Sequence, residues 1–226
     1  MSLANYQPPA HSSLDVVYRD ESLIVVNKPA GLLSVPGRGE DKADCMAARL
    51  QAEFPDALSV HRLDMSTSGL LVFARGADMH RRLSRLFREQ RMTKRYVAIV
   101  AGRFAHSAGE VDIPLNADWP NRPKKKIDYP FGKPSLTRYR ILASLDHLTP
   151  AGSNLCANRI ELAPVTGRTH QLRVHMAAID HPILGDLLYG DRVGNAAPRL
   201  LLHAQSLCFI HPLSQIPLSL TCAPPF

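Results

Sequence analysis

A single carboxylate, Asp64, lies in the stretch HRLDMSTSG (residues 61–69), between Arg62 and a run of hydroxyl side chains. A lone aspartate held ionised by a nearby cation can act as a nucleophile or as a single base, whereas glycoside hydrolysis commonly uses two facing carboxyl groups. The nearest acids in sequence, Asp56 and Asp78, lie outside this stretch. The pattern therefore predicts nucleophilic or general-base chemistry centred on Asp64.

Other kinds of active site do not fit the sequence. A kinase catalytic loop has Asn five residues after its Asp, where this chain has Gly69, and a Walker A loop is excluded because Pro134 follows Gly132 and Lys133. His170 and His175 are five residues apart, a spacing that points helical side chains in different directions. The sequence therefore indicates no nucleotide-phosphate loop and no metal site.

A candidate partner for Asp64 is Arg168. We expect a helix over about 168–179, capped by Thr166. On it Arg168 would share a face with three apolar residues, Leu172, Met176 and Ile179. An arginine at the end of such a stripe needs an acceptor. We predict that Arg168 pairs with Asp64, with a backbone carbonyl or Glu161 as the alternatives.

The elements that must position these residues are mostly strands. Runs rich in apolar and β-branched residues predict strands at LDVVYRD (14–20), SLIVVNKP (22–29), GLLVFAR (69–75), YVAIVAG (96–102), EVDIPL (110–115), SLTRYRILASL (135–145), NLCANRIELAPV (154–165), LLLHAQSLCFIHP (200–212) and IPLSLTCAPP (216–225). The strands at 135–145 and 154–165 should be antiparallel neighbours. Apolar residues at helical spacing predict two further helices, over about 42–54 and 77–91.

Two groups of cations suit a polyanion. Arg81, Arg85 and Arg88 recur on one face of the 77–91 helix, and we call them the arginine ridge. A second group, the basic cluster, follows the single tryptophan, Trp119, and consists of Arg122, Lys124, Lys125 and Lys126. Either group could be a solvated surface, but an aromatic ring beside cations is typical of RNA-binding sites.

Composition sets the class of protein. The chain has 226 residues, of which 45% are hydrophobic and 21% charged, and its net charge is +7. These values are typical of a globular protein with room for a sizeable core. No apolar stretch approaches the ~20 residues of a membrane helix, and the N-terminal residues show no secretory signal, so we expect a cytoplasmic protein that does not bind membranes. Four scattered cysteines indicate reduced thiols.

Several long motifs resemble, in the same order, those of the RluA family of RNA pseudouridine synthases. They are NKPAGLLSVPGR (27–38), HRLDMSTSGLLVFAR (61–75), KRYVAIVAG (94–102), PVTGRTHQLRVHM (164–176), HPILGD (181–186) and RLLLHAQSL (199–207). The small size and the loop DWPNRPKKK (118–126) are similar to the short dual-specificity members, which act on both ribosomal and transfer RNA. We expect no N-terminal S4 RNA-binding domain, since the first strand begins early.

This resemblance implies a reaction and its residues. The family isomerises uridine without a cofactor: the glycosidic C–N bond breaks, the base turns, and it is rejoined through C5. Asp64 aligns with the catalytic aspartate, which attacks the ribose or the uracil or abstracts a sugar proton. Arg168 aligns with the arginine that pairs with it, and Tyr96 with a tyrosine that packs on the target uracil. Arg62 aligns with a residue that enters the RNA where the base has flipped out.

We therefore expect an α+β protein with the pseudouridine synthase fold, a mixed and mainly antiparallel sheet flanked by helices with a central RNA-binding cleft. After a tail over 1–13, one catalytic domain should span 14–226. We expect a monomer that isomerises uridines in stem-loops of 23S rRNA and tRNA, with the ridge and the cluster on phosphates. The alternatives are a non-catalytic RNA-binding or chaperone protein and an N-glycosylase that releases uracil.

Overall fold

The computed structural model describes residues 6–11, 13–145 and 156–226. The predicted N-terminal tail and the start of the strand predicted at 154–165 fall partly outside these ranges. The helices are α1 (Met46–Glu53), α2 (Gly76–Arg88) and α3 (Gln171–Ala178). The strands are β1 (Val16–Arg19), β2 (Leu23–Lys28), β3 (Ala57–Ser59), β4 (Ser68–Arg75), β5 (Thr93–Ala101), β6 (Ala108–Asp112), β7 (Leu115–Ala117), β8 (Lys125–Ile127), β9 (Leu136–Ser144), β10 (Ala157–Pro164), β11 (Leu202–Ile210) and β12 (Pro217–Thr221).

The chain folds into two compact units. Unit 1 comprises the described residues up to Lys94 together with His203–Pro225. Its strands lie in the order β1-β2-β4-β11-β12, and β3 pairs with the C-terminal end of β4. All these pairings are antiparallel except that of β4 with β11, which is parallel. A mixed, mainly antiparallel arrangement is thus confirmed in this unit.

Helix α2 covers one face of the unit 1 sheet. Its buried residues Met79, Leu83 and Leu86 follow the spacing that predicted the helix, and they pack with Val72 and Phe209. Asp78 lies in the first turn and two arginines in the last turn, where each charge stabilises the helix dipole. The helix ends at Arg88, three residues earlier than predicted.

Unit 2 spans Arg95–Leu202, with the terminal Phe226. Its strands lie in the order β5-β10-β9-β6 and are all antiparallel, which confirms the predicted pairing of β9 with β10. Strands β7 and β8 form a separate hairpin that the sequence did not predict. Helix α3 packs on the sheet through Leu172 and Met176, beside Ile160 and Leu162.

The start of α3 was predicted wrongly. The helix begins at Gln171, because His170 has a left-handed backbone (φ 57°, ψ 14°) that a right-handed helix cannot include. The Gln171 side chain explains this turn: its oxygen accepts hydrogen bonds from the Thr166 hydroxyl (2.7 Å) and the Arg168 N–H (2.9 Å), and its amide donates to the Leu136 carbonyl (3.0 Å). Thr166 therefore caps no helix. Arg168 is exposed and precedes the apolar stripe, so the helical-face argument for its position fails.

The remaining predicted features need smaller corrections. Helix α1 begins at Met46 rather than near Lys42, and the Cys45 sulfur accepts the Ala48 N–H at its start (3.3 Å). All four cysteines are free thiols, and only Cys45 is buried. Within the described ranges, no helix combines the length and apolarity that crossing a membrane would require.

Candidate active site

The loop that carries Asp64 joins β3 to β4 in unit 1. Just before the aspartate, Leu63 is anchored by one side chain on both of its backbone groups. The Ser34 hydroxyl donates to the Leu63 carbonyl (2.8 Å) and accepts from the Leu63 N–H (3.0 Å), and Ser34 is only 4% exposed. The half-buried Asp64 therefore follows a residue whose position is fixed from a segment 29 residues earlier.

Just after the aspartate, the carbonyl of Met65 is held by two donors. It accepts the Gly31 N–H (2.8 Å) and the Lys28 ammonium (3.2 Å). Lys28 is 0% exposed and also donates to the carbonyls of Pro29 (2.8 Å) and Leu32 (2.7 Å). A buried ammonium is costly unless it is hydrogen-bonded, and here it ties two loops together. The backbone on both sides of Asp64 is thus held in place by hydrogen bonds with residues 28–34.

His61 attaches the start of the loop to β4. Its Nε2 accepts the Val72 N–H (2.9 Å), so the ring proton lies on Nδ1, and the ring stacks on Phe87 at 4.3 Å between centroids. Burial, with a smaller effect of Lys94, lowers the pKa of His61 to about 3. The ring is therefore uncharged at neutral pH, and its role is to position the loop.

The hydroxyl-rich end of the loop is closed by backbone contacts. The Thr67 N–H donates to the Asp64 carbonyl (3.1 Å) and forms a turn around the aspartate. The Ser68 hydroxyl forms a hydrogen bond with Nδ1 of His203, on β11 (2.8 Å). Gly69 has φ +112°, and a Cβ there would lie 2.3 Å from the Ala204 carbonyl oxygen, so only glycine fits this close approach.

The other predicted RNA contacts of unit 1 are exposed. Arg62 is exposed, and no described residue forms an ion pair with it. On the arginine ridge, Arg81 pairs with Asp78 (3.1 Å) and Arg85 with Glu89 (2.6 Å), whereas no described acid forms an ion pair with Arg88. Exposed pairs of this kind are weak, so the guanidinium groups can exchange them for phosphates.

In unit 2 the predicted residues lie on separate elements. Tyr96 is a half-buried residue of β5 opposite Leu162 of β10, and it packs against the unit 2 core. Arg168 lies in the turn before α3, and its Nε donates to the Pro134 carbonyl (3.3 Å). The alternative partner Glu161 instead contacts Arg140 (3.5 Å). Because Asp64 and Arg168 belong to different units, their pairing stays a prediction.

The basic cluster lies on and before β8. Arg122 stacks on Trp119, with its Cζ 3.5 Å from the ring centroid, and Lys126 lies 3.8 Å from Asp128. The Lys125 N–H donates to the Tyr189 hydroxyl (2.7 Å). Lys124 precedes the strand and is half-buried. The cluster is therefore an ordered surface of the β7–β8 hairpin.

A buried ion pair that the sequence did not reveal supports Tyr189. Arg173 on α3 forms a bidentate pair with Asp186 (2.8 and 2.7 Å), and both side chains are almost fully buried. The same carboxylate accepts the Tyr189 N–H (3.2 Å), and the Tyr189 hydroxyl lies 2.7 Å from Nδ1 of His170. This network links α3 to the hairpin that carries the basic cluster. Asp186 ends the motif HPILGD, and this motif is the feature of the sequence that could have indicated the ion pair.

Comparisons with known proteins extend over most of the chain. The family model described as RNA pseudouridylate synthase matches residues 22–178. The dual-specificity RNA pseudouridine synthase RluA of Escherichia coli K12 is 49% identical over 213 residues, which cover 94% of each chain. The protein of the same name from Pasteurella multocida is 45% identical over 227 aligned residues, and the alignment covers 100% of each chain. A structure titled human RNA pseudouridylate synthase domain containing 1 matches with a TM-score of 0.78 and 31% identity, covering 97% of this chain and 87% of that one.

Proposed function

This chain belongs to the RNA pseudouridine synthase family, and we propose that it modifies two kinds of RNA, a hairpin of 23S rRNA and the anticodon stem-loop of tRNA. The observation that carries the proposal is the identity of 45–49% over nearly the full length with proteins named dual-specificity synthases. The general activity, isomerisation of uridine to pseudouridine in RNA, follows from membership of the family.

Asp64 is the proposed catalytic residue. The reaction breaks the bond between C1′ and N1 of uridine, forms one between C1′ and C5, and moves a proton from C5 to N1, so no atom or electron is gained or lost. One fixed carboxylate can serve as the nucleophile or base for such a rearrangement. The anchoring of Leu63 and Met65 supports this role, because a reacting group must be held in place while the substrate moves. Tyr96, packing on the uracil, and Arg168, pairing with Asp64, complete the proposed catalytic set.

Arg62 is the proposed stand-in for the flipped base. Extruding a nucleotide costs a few kcal/mol of stacking and pairing, and a planar guanidinium inserted into the gap offsets part of that cost. The exposure of Arg62, two residues from the fixed Asp64, supports the proposal. The arginine ridge and the basic cluster would then bind phosphates of the RNA.

The wider setting of the protein is also proposed. We propose that residues 14–226 form one catalytic domain, since the family match over 22–178 includes residues of both units. We also propose that the protein is a cytoplasmic monomer with an RNA-binding cleft, which is consistent with rRNA and tRNA as its substrates.

The test is to incubate the purified protein with each stem-loop and map pseudouridine at nucleotide resolution. We expect one modified uridine in each RNA. Modification of only one RNA would refute dual specificity, release of free uracil would identify an N-glycosylase, and binding without a product would identify a non-catalytic RNA-binding protein.

A further inference from the structure

A rigid turn at the base of the β7–β8 hairpin carries two exposed aromatic rings. The turn spans Asp128–Gly132 (DYPFG), and its side chains Tyr129 and Phe131 are 73% and 83% exposed. Rings of this size are seldom left so open to water, and exposed apolar surface commonly marks a binding site. Neither ring belongs to the site described above.

Asp128 fixes the conformation of this turn. Its carboxylate accepts the Phe131 N–H and the Asn116 side-chain amide, each at 3.0 Å, and its carbonyl accepts the Gly132 N–H (2.7 Å). A Cβ on Gly132 would lie 2.2 Å from that carbonyl oxygen, so the tight closure requires glycine. These contacts lower the pKa of Asp128, mainly through the Asn116 amide, and keep it ionised. The backbone that carries the two rings is therefore preorganised, which reduces the entropic cost of binding.

The surroundings of the rings are strongly basic. Between Trp119 and Lys133 the chain has five cations and one acid, Asp128. Lys126 and Lys133 flank the turn and are both exposed. At the other end of the hairpin, Trp119 is 66% exposed and is stacked with Arg122. Exposed rings combined with cations match the chemistry of unpaired nucleotides, whose bases stack on aromatic faces while their phosphates bind lysine and arginine.

A second exposed apolar turn lacks this combination. In unit 1, Leu213 and Ile216 are exposed in the turn between β11 and β12, but that turn contains no phenylalanine, tyrosine, tryptophan, lysine or arginine, and its one histidine, His211, is buried. The pair is therefore a matched control, similar in exposure but without the chemistry that recognises a base.

We propose that the Asp128–Gly132 turn is a second RNA-binding site, in which Tyr129 and Phe131 stack on unpaired bases of the stem-loop outside the catalytic position. The proposal rests on the proposed function, because it takes the substrate to be a stem-loop with unpaired nucleotides. It adds a determinant that distinguishes a loop from a paired stem and that any base can satisfy, which suits an enzyme acting on two RNAs.

The test measures binding of a fluorescein-labelled tRNA anticodon stem-loop by fluorescence anisotropy. We expect Tyr129→Ser/Phe131→Ser to bind about tenfold or more weakly, since stacking contributes substantially for each base. Tyr129→Phe/Phe131→Tyr, which keeps both rings, should bind like the native protein, and so should the control Leu213→Ser/Ile216→Ser. The salt dependence should not change in any variant, because no cation is removed.

A second RNA separates stacking from other effects. When the loop nucleotides other than the target uridine are replaced by abasic ones, the native protein should lose the same affinity, and the Ser/Ser variant should lose no further affinity. Equal binding of the Ser/Ser variant and the native protein to the intact loop would overturn the proposal and assign the rings to another partner, such as a protein. An equal loss on a fully paired duplex would also overturn it. Pseudouridine formation by the native protein is scored separately, so a failure of the proposed activity stays distinguishable from a failure of the stacking site.

Discussion

Replacing Ser34 with alanine removes one hydroxyl that serves two backbone groups of Leu63, the residue before the proposed catalytic aspartate. Both hydrogen bonds have ordinary lengths, 2.8 and 3.0 Å, and lie in a site that is almost closed to water, with Ser34 only 4% exposed. A buried donor or acceptor left unpaired costs about 1–3 kcal/mol. Because an N–H and a C=O lose this partner together, we expect Ser34→Ala to lower the free energy of unfolding by about 2–4 kcal/mol.

The same change should also slow catalysis, because the segment that ends at Asp64 loses its anchor. We expect kcat for pseudouridine formation to fall about tenfold or more, while KM changes by less than about threefold, since no RNA contact is removed. Urea unfolding gives the stability and a pseudouridine assay at a temperature where both proteins are folded gives kcat. Ser66→Ala, in the same loop, is the stability control, because its hydroxyl bonds to no described residue. A loss below about 0.5 kcal/mol with unchanged kcat would refute the anchoring role of Ser34.

Three further predictions follow from the electrostatics. The pKa of His61 is about 3 in the folded protein and 6.5 in the unfolded one, so its contribution to stability is present above pH 6.5 and is lost as the pH falls. When the pH is lowered to 4.5, the free energy of unfolding measured in urea should therefore decrease by about 2 kcal/mol less in His61→Gln than in the native protein. Asp186→Asn leaves the buried Arg173 charge without its carboxylate and should cost about 3 kcal/mol, and a loss below 1 would contradict the role of the pair. Lys124→Ala/Lys126→Ala should reduce the slope of log K against log salt by about 2 in anisotropy titrations; an unchanged slope would place RNA phosphates elsewhere.

Local patterns were sufficient to predict most strands and the middle of α2. Met79 and Leu83 are buried because they recur at helical spacing, and the alternating residues of β9 and β10 pair as expected. The start of α3 could not be predicted this way. It depends on a hydrogen bond from the Gln171 side chain to the Leu136 carbonyl, 35 residues earlier in sequence, and no local pattern contains such a contact.

The candidate catalytic residue could be proposed from the sequence, but the contacts that hold it in place could not. Asp64 stood out because it is a lone carboxylate beside an arginine. Lys28 would be expected at a surface, since lysine is rarely buried, yet it is enclosed at the end of β2 and donates to the Met65 carbonyl. Ser34 gave no signal of its own, because its role depends on tertiary contact with Leu63.

The most direct test of the central claim is single-turnover pseudouridine formation by Asp64→Asn on the tRNA anticodon stem-loop. The amide has nearly the same shape as the carboxylate but is neither a nucleophile nor a base. We expect the rate to fall by at least about a thousandfold while RNA affinity stays within a few fold of the native value. A rate close to that of the native enzyme, with the RNA bound equally well, would show that the reaction does not depend on the Asp64 carboxylate and would contradict the account.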